Sequence, residues 1–146
     1  MADLNIDDFY RDCAVIMLQL YSSFPRKTIL YVDDICGADT PDEFGLHSER
    51  HQAAFSAMAW LAEVGYISFT ETIREEALDQ AVLSQRGFLL LSSRSEIELG
   101  TVDETDESLP PSVMERSMIN VMQIRRALKE GSSIFIHQVM HSLLSS

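Results

Sequence analysis

The sequence predicts an α+β fold that is mostly helical, with one small β-hairpin in the middle of the chain and two further helices at its C-terminal end. Apolar residues recur at helical spacing in residues 5–24 and 48–64. In residues 66–83, β-branched and aromatic residues alternate with polar ones on either side of a charged tip. Helical spacing returns in residues 112–130 and 134–144, so helices precede and follow the predicted hairpin.

The composition is that of a globular protein of ordinary size. The chain has 146 residues, of which 46% are hydrophobic and 23% charged, so it needs no metal or disulfide staple to fold. Cys13 and Cys36 are not in a paired spacing and are interpreted as small buried apolar residues. Because the acidic N-terminal segment lacks a signal pattern and no apolar run approaches the ~20 residues of a membrane span, we expect a cytoplasmic protein without a membrane partner.

The charge is strongly acidic. Lys and Arg number 11 against 23 Asp and Glu, which gives a net charge of -12. Residues 1–94 alone carry 7 basic and 15 acidic residues, so the deficit does not come from one tail. Nucleic-acid binders usually display clustered Lys and Arg, because neutralising phosphates dominates their affinity. The composition therefore disfavours duplex DNA as a partner.

The first half of the chain contains one firm helix and several short segments. Residues 5–24 form the predicted first helix. Residues 28–32 form a predicted short strand, followed at once by a helical turn that ends at Gly37. Residues 40–43, Thr-Pro-Asp-Glu, have a capping-box signature and predict a helix that Gly45 keeps short or bends.

A longer helix, the hairpin and a short helix follow. Ser48 is the predicted N-cap of the long helix, and Gly65 is its predicted left-handed end. Residues 66–73 and 77–83 form the strands of the hairpin, and residues 84–91 form an apolar helix. These elements are predicted to share one core that includes Phe9, Ile16, Leu20, Phe55, Met58, Leu61, Ile67, Phe69, Leu83 and Leu89.

The C-terminal third differs in composition from the rest. Residues 95–111 contain six acids and no base, and they predict an acidic linker between a domain of residues 5–94 and a helical hairpin within residues 112–146. The hairpin carries more apolar surface than it can cover itself, so it should pack on the first domain or on a second copy of the chain, and we favour a homodimer. The candidate dimer interface is Met114, Met118, Val121, Met122, Leu128, Phe135 and Val139.

Two local segments carry a family resemblance. Residues 61–67, Leu-Ala-Glu-Val-Gly-Tyr-Ile, look like a recognition helix that runs into a first wing strand, and residues 82–90, Val-Leu-Ser-Gln-Arg-Gly-Phe-Leu-Leu, look like a second wing strand that runs into a helix. With the order of elements, residues 5–94 resemble the winged helix-turn-helix family, including MarR-like and PadR-like regulators. The resemblance implies that the long helix enters the major groove and that the wing tip meets phosphates. The candidate recognition surface is then Ser48, Arg50, His51, Gln52, Ser56 and Arg74.

The charges depart from what reading DNA requires. Arg50 is the only fixed cation on that face of the long helix, with Glu49 beside it, and at the wing tip Glu75 and Glu76 outnumber Arg74. We therefore expect a non-enzymatic winged-helix protein-interaction module, of a regulatory or adaptor kind, that binds a protein partner or itself. The alternative is a dimeric DNA-binding transcription regulator.

Two histidine pairs leave one question of chemistry open. His47 and His51 stand four apart, as do His137 and His141, and a pair at this spacing can share a metal ion such as zinc. Because no Cys or carboxylate pattern completes a recognisable site, we expect no metal, although the pairs leave the question open. The sequence also lacks a Gly-rich phosphate loop and a nucleophile elbow, so we expect no cofactor and no catalytic residue.

Overall fold

The computed structural model describes residues 4–93 and 119–145. This part of the chain is α+β and about 60% helical, which confirms the predicted fold class at that level. None of the helices in the described ranges is both long enough and apolar enough to cross a membrane. In chain order the elements are α1 (Leu4–Ser23), β1 (Thr28–Tyr31), α2 (Asp33–Cys36), α3 (Glu49–Glu63), β2 (Ile67–Ser68), β3 (Glu71–Ile73), β4 (Ala77–Leu83), α4 (Gln85–Ser92), α5 (Asn120–Glu130) and α6 (Ser133–Leu144).

Strand β4 is the centre of a small antiparallel sheet. It pairs with β1 on one side, and with β2 and then β3 on the other. The predicted strand of residues 66–73 is divided, because residues 69–70 interrupt the ladder between β2 and β3. Arg74 and Glu75 have φ values of 49° and 59°, a left-handed pair that turns β3 tightly into β4. Residues 71–77 thus form a narrow hairpin, called the wing below after the element predicted there.

Helix α3 begins and ends as predicted. The Ser48 hydroxyl accepts a hydrogen bond from the backbone N–H of His51 at 3.2 Å, which is the expected N-cap contact. Gly65 has φ 89°, a conformation that lets the chain leave the helix and enter β2. Met58 and Leu61 of α3 are fully buried against α1 and the sheet.

Helix α4 packs on the sheet through a glycine. A Cβ atom at Gly87 would lie 2.1 Å from the carbonyl oxygen of Tyr66, so only glycine allows this approach. Gly87 and Leu91 lie four residues apart and are both buried. Leu89 lies on the opposite face of the helix and is 52% exposed, so its predicted place in the core is wrong.

The predicted short helix at residues 40–43 does not form. The Asp42 carboxylate accepts hydrogen bonds from the backbone N–H groups of Phe44 at 2.8 Å and Leu46 at 2.9 Å, and Gly45 has φ 78°. These contacts make a turn instead, because an Asp side chain can satisfy nearby N–H groups without a helix. Residues 37–48 form a loop between α2 and α3.

The C-terminal helices pack on the rest of the described chain. Helix α6 lies against α1 and α5, and α5 also contacts α4. Ile124 and Met140 belong to the same hydrophobic cluster as α1, α3 and the sheet. The side-chain amide of Asn120 donates to the Leu90 carbonyl at 2.7 Å, which anchors the start of α5 to α4. Helices α5 and α6 therefore have a surface to pack on within a single chain.

Most residues of the predicted core are buried, and so are two residues of the predicted dimer interface. Ile16, Leu20, Met58, Leu61, Ile67 and Leu83 are buried as expected, whereas Phe9, Phe55 and Phe69 are half-buried at the edge of the core. Val121 and Val139 are buried in the chain's own core, so they are not available to a partner in this arrangement. Met122, Leu128 and Phe135 keep partial exposure. Met114, Met118 and the predicted linker of residues 95–111 lie outside the described residues.

Candidate functional site

The start of α3 is covered by the wing turn. His51, on the first turn of α3, is 2% exposed, and its Nε2 lies 3.0 Å from the backbone carbonyl oxygen of Glu75. Because a carbonyl oxygen only accepts, Nε2 carries the hydrogen of this bond. The carbonyl of Glu76 accepts from the backbone N–H of Val32 at 2.9 Å, which ties the same turn to the end of β1. The wing is thereby held against the N-terminus of α3.

Asp39, His47 and His51 come together beneath this turn. The Asp39 Oδ2 atom lies 2.9 Å from His47 Nδ1 and 3.9 Å from His51 Nδ1. The two imidazole rings stack with their centroids 3.7 Å apart. Asp33 Oδ1, from α2, is 3.7 Å from His51 Nδ1. We call Asp39, His47 and His51 the histidine–aspartate cluster.

The protonation of this cluster is partly fixed by hydrogen bonds. Bonds from Ser48 and His47 lower the pKa of Asp39 to about 2, so its carboxylate is ionised near neutral pH. The Nδ1 atom of His51 is buried and has no hydrogen-bond partner. The cluster thus places an anionic oxygen and two imidazoles in one partly enclosed position.

The helical spacing identifies the two histidines but not Asp39. The aspartate stands eight residues before His47, in the loop of residues 37–48, and no regular spacing relates it to α3. Only the path of the loop brings Asp39 beside the histidines. The one signal in the sequence for Asp39 is an aspartate in the loop just before a helix whose start carries two histidines. That signal is weak.

Arg50 is bound inside the chain and does not stand free on the surface of α3. Its Nη1 donates to Asp12 Oδ2 at 2.8 Å, and its Nη2 donates to Oδ1 of the same carboxylate. Asp12, on α1, is 1% exposed. Burial raises the pKa of Asp12, although the hydrogen bond and charge of Arg50 oppose that effect. The DNA contact that the resemblance implies for Arg50 would thus compete with a buried carboxylate for the same guanidinium.

The other residues of the predicted recognition surface have different surroundings. His51 was expected on an exposed helix face and is buried, so that part of the expectation is wrong. The Gln52 side-chain amide donates to the carbonyl of His47 at 2.9 Å, yet the residue remains exposed. Ser56 on α3 and Arg74 at the wing tip are also exposed. The structure does not gather the six predicted residues into one basic surface.

Exposed carboxylates lie on the segments that form and border the cluster. We call these side chains of α2, the loop of residues 37–48, the start of α3 and the wing turn the acidic face. Its members are all exposed: Asp33, Asp34, Asp42, Glu43, Glu49, Glu75 and Glu76. The same segments offer the exposed cation Arg74. Two large apolar side chains project from the loop, Phe44 at 80% and Leu46 at 62% exposure.

The second histidine pair is arranged differently. The Tyr10 hydroxyl lies 2.9 Å from His141 Nδ1, and Asp7 Oδ1 lies 4.0 Å from His137 Nδ1. The pair therefore packs on α1, with Tyr10 against both rings. Within the described ranges, the histidine–aspartate cluster is the one group of three such side chains close enough to share a metal ion.

The two cysteine thiols are not activated as nucleophiles. Cys13 is fully buried, and burial raises the pKa of its thiol far above the usual range. Burial likewise raises the pKa of the half-buried Cys36. A thiol with a raised pKa is a poor nucleophile near neutral pH.

No protein-family model, curated protein or solved structure matches this chain.

Proposed function

We propose that the chain is a non-enzymatic winged-helix protein-interaction module of a regulatory or adaptor kind, and that its acidic face binds a basic segment of a partner protein. The observation that carries this proposal is the pairing of Arg50 with buried Asp12. With that guanidinium committed to α1, the segments of the acidic face, from α2 through the loop to the start of α3 and the wing turn, present seven exposed carboxylates and the single exposed cation Arg74.

A basic partner matches this surface in charge, and apolar contacts can add affinity. Opposite charges across an interface raise the rate of association and select among partners. Charge pairs at an exposed rim contribute little binding energy by themselves, whereas an apolar side chain that enters a pocket contributes more. Phe44 and Leu46 lie on the loop that also carries Asp42 and Glu43. A segment with alternating basic and apolar residues therefore fits this face best.

The order and pairing of the elements support the winged-helix part of the proposal. Helix α1, strand β1, a helical turn and the long helix α3 precede a hairpin, and the sheet has the order β1-β4-β2. One feature departs from the resemblance. Helix α2 has only four residues, and the loop of residues 37–48 separates it from α3. The first helix of a helix-turn-helix pair is therefore reduced to a single turn.

A dimeric DNA-binding regulator is the second candidate. It is favoured by Gln52 and Ser56, which are exposed on α3 in the positions that the resemblance assigns to base contacts, and by Arg74 at the wing tip. Against it stand the exposed Glu49, Glu75 and Glu76, which would repel phosphates at the same positions.

One experiment separates the two candidates. The full chain is immobilised and offered a displayed library of random peptides and, in parallel, fragments of genomic DNA at low salt. We expect the selected peptides to be rich in Lys, Arg and apolar residues, and their binding to be lost in Phe44→Ala and in Glu75→Lys. Gln138→Ala, a change at an exposed residue of α6, is the matched control and should bind as well as the unchanged chain. Sequence-selective DNA retention that weakens steeply with salt, together with no peptide selection, would establish the second candidate.

We also propose a homodimer, through C-terminal side chains that the chain's own core does not bury. Ile134 is 69% exposed and the neighbouring Phe135 is 39% exposed at the start of α6. Burial of such side chains against a second copy would remove them from water. Light scattering on the full chain should give the mass of a dimer, and Phe135→Asp should give a folded monomer. A monomeric mass at every concentration would exclude the dimer.

A further inference from the structure

We propose that Asp39, His47 and His51 bind one divalent transition-metal ion, Zn²⁺ in the first instance, and that the ion fastens the loop of residues 37–48 to α3 beneath the wing. One donor atom from each residue lies within 4.8 Å of the other two. Imidazole nitrogens and a carboxylate oxygen are ligands that Zn²⁺ takes in proteins. The site does not depend on any partner of the acidic face.

His51 provides the most specific observation. Its Nε2–H donates to the Glu75 carbonyl, so in the neutral ring Nδ1 keeps its lone pair. That Nδ1 is buried without a hydrogen-bond partner, which is costly for a polar atom unless something completes the site. Histidines that bind a metal commonly donate their other ring N–H to a carbonyl or carboxylate, which holds the ring in place. The contact with Glu75 is such a bond.

The separations between donor atoms suit a small ion. Any two ligand atoms at the corners of a tetrahedral zinc site lie roughly 3.3 Å apart, given bond lengths of about 2.0–2.1 Å. The Asp39–His47 separation of 2.9 Å and the Asp39–His51 separation of 3.9 Å fall on either side of that value. Both rings would also have to turn out of their present stack, because parallel imidazoles cannot direct their in-plane lone pairs at one ion.

Neighbouring carboxylates can complete the coordination and its outer shell. Asp33 Oδ1 lies 3.7 Å from His51 Nδ1, at the edge of the cluster, and would have to move inward to act as a fourth ligand. Glu76 Oε1 lies 3.6 Å from His47 Nε2 and can accept the N–H of that ring while Nδ1 faces the metal. Asp33 and Asp39 together would balance the two positive charges of the ion. The ligands come from α2, the loop and the start of α3, so the ion would join three segments.

A protonated His51 between Asp33 and Asp39 would account for the same distances without a metal. The two arrangements differ in what they require. The metal site needs His47 and Asp39 as ligands and takes one ion per chain, whereas the protonated histidine confers no affinity for Zn²⁺. Binding measurements therefore separate them.

The test uses the full chain, stripped with a chelator and titrated calorimetrically with Zn²⁺ alone. We expect one ion per chain and a rise in the thermal midpoint on binding. Asp39→Asn and His47→Gln keep size and polarity, and each should weaken binding by at least ~10-fold. The double variant His137→Gln/His141→Gln is the matched control, because it alters the other histidine pair and should bind as the unchanged chain does. Cys36→Ser should also bind normally, since no thiolate is assigned to the site.

Several results would overturn the proposal. The first is the absence of saturable binding by the folded, stripped chain. The second is binding that survives both Asp39→Asn and His47→Gln in variants whose circular dichroism shows a native fold. Loss of the ion in the control that alters His137 and His141 would place the metal on α6 and equally reject the site proposed here.

Discussion

The carboxylate of Asp12 is buried between α1 and α3, and Arg50 balances its charge. Two parallel N–H···O bonds join the groups, in the fork geometry that only a guanidinium offers. A buried charge pair contributes little net stability, but removing one partner leaves an uncompensated charge. The contact therefore fixes how α3 sits on α1.

Replacing Arg50 with Ala should destabilise the fold by about 3 kcal/mol, the lower end of the range for buried pairs, because the guanidinium is itself a third exposed. Urea unfolding would measure the change. Arg26→Ala, at an exposed position after α1, is the control and should stay within about 0.5 kcal/mol of the unchanged chain. The double variant Asp12→Leu/Arg50→Met should recover most of the loss. Full stability in Arg50→Ala would mean that the pair is not formed.

The cost of Arg50→Ala should also depend on pH. Burial raises the pKa of Asp12 above its ordinary value of 3.8, and loss of Arg50 removes the contacts that oppose the rise. A carboxyl group whose pKa is higher in the folded than in the unfolded chain stabilises the fold more as the pH falls towards the unfolded value. The deficit of Arg50→Ala relative to the unchanged chain should therefore shrink from neutral to mildly acidic pH. A deficit that grows on acidification would contradict the raised pKa.

Sequence patterns predict the contacts of individual residues only where those contacts are local. Ser48 could be predicted as an N-cap because capping is local. The partner of Arg50 could not, since Asp12 stands 38 residues earlier and belongs to another helix. For the same reason, His51 was predicted on an exposed face, although the wing turn covers it. Long-range contacts decide which polar residues of an amphipathic helix are free.

Helices α3 and α4 show which elements a local pattern can specify. Each has a serine N-cap that accepts from the N–H three residues on, at His51 and at Gly87, and both helices were predicted with nearly correct bounds. The capping-box signature at residues 40–43 failed because Gly45 follows and no apolar face continues it. A cap specifies where a helix begins only if the next turns have a surface to bury.

The orientation of α4 can be tested with two leucines. Leu91 is fully buried and Leu89 is 52% exposed, two positions apart on the same helix. Leu91→Ala should cost about 2 to 5 kcal/mol through the cavity it leaves. Leu89→Ala is the matched control, with a change within about 0.5 kcal/mol. Equal losses in chemical denaturation, or a larger loss at Leu89, would mean that the helix faces the other way.

At the scale of the whole molecule, α5 and α6 complete the core of the described chain. Ile124, Met140 and Leu143 are buried with residues of α1 in one cluster. The sequence predicted that these helices need a surface to cover them, but it left open whether that surface belongs to the same chain. Amphipathic spacing reports that a face is buried and carries no information about what buries it. The division of the chain into a domain of residues 5–94 and a C-terminal hairpin stays a prediction.

The dependence of the fold on α5 and α6 gives a last prediction. A chain that ends at Leu109 loses both helices, so it should expose the apolar side of α1 and unfold at a lower temperature or aggregate. Because a truncated chain can unfold for unrelated reasons, a point variant tests the same packing in the full chain. Met140→Ala, at a fully buried site of α6, should cost about 2 to 5 kcal/mol. Gln138→Ala, two residues away and exposed, should change stability by less than about 0.5 kcal/mol. If the truncated chain melts as the full chain does and Met140→Ala is neutral, α6 does not pack on α1 as described.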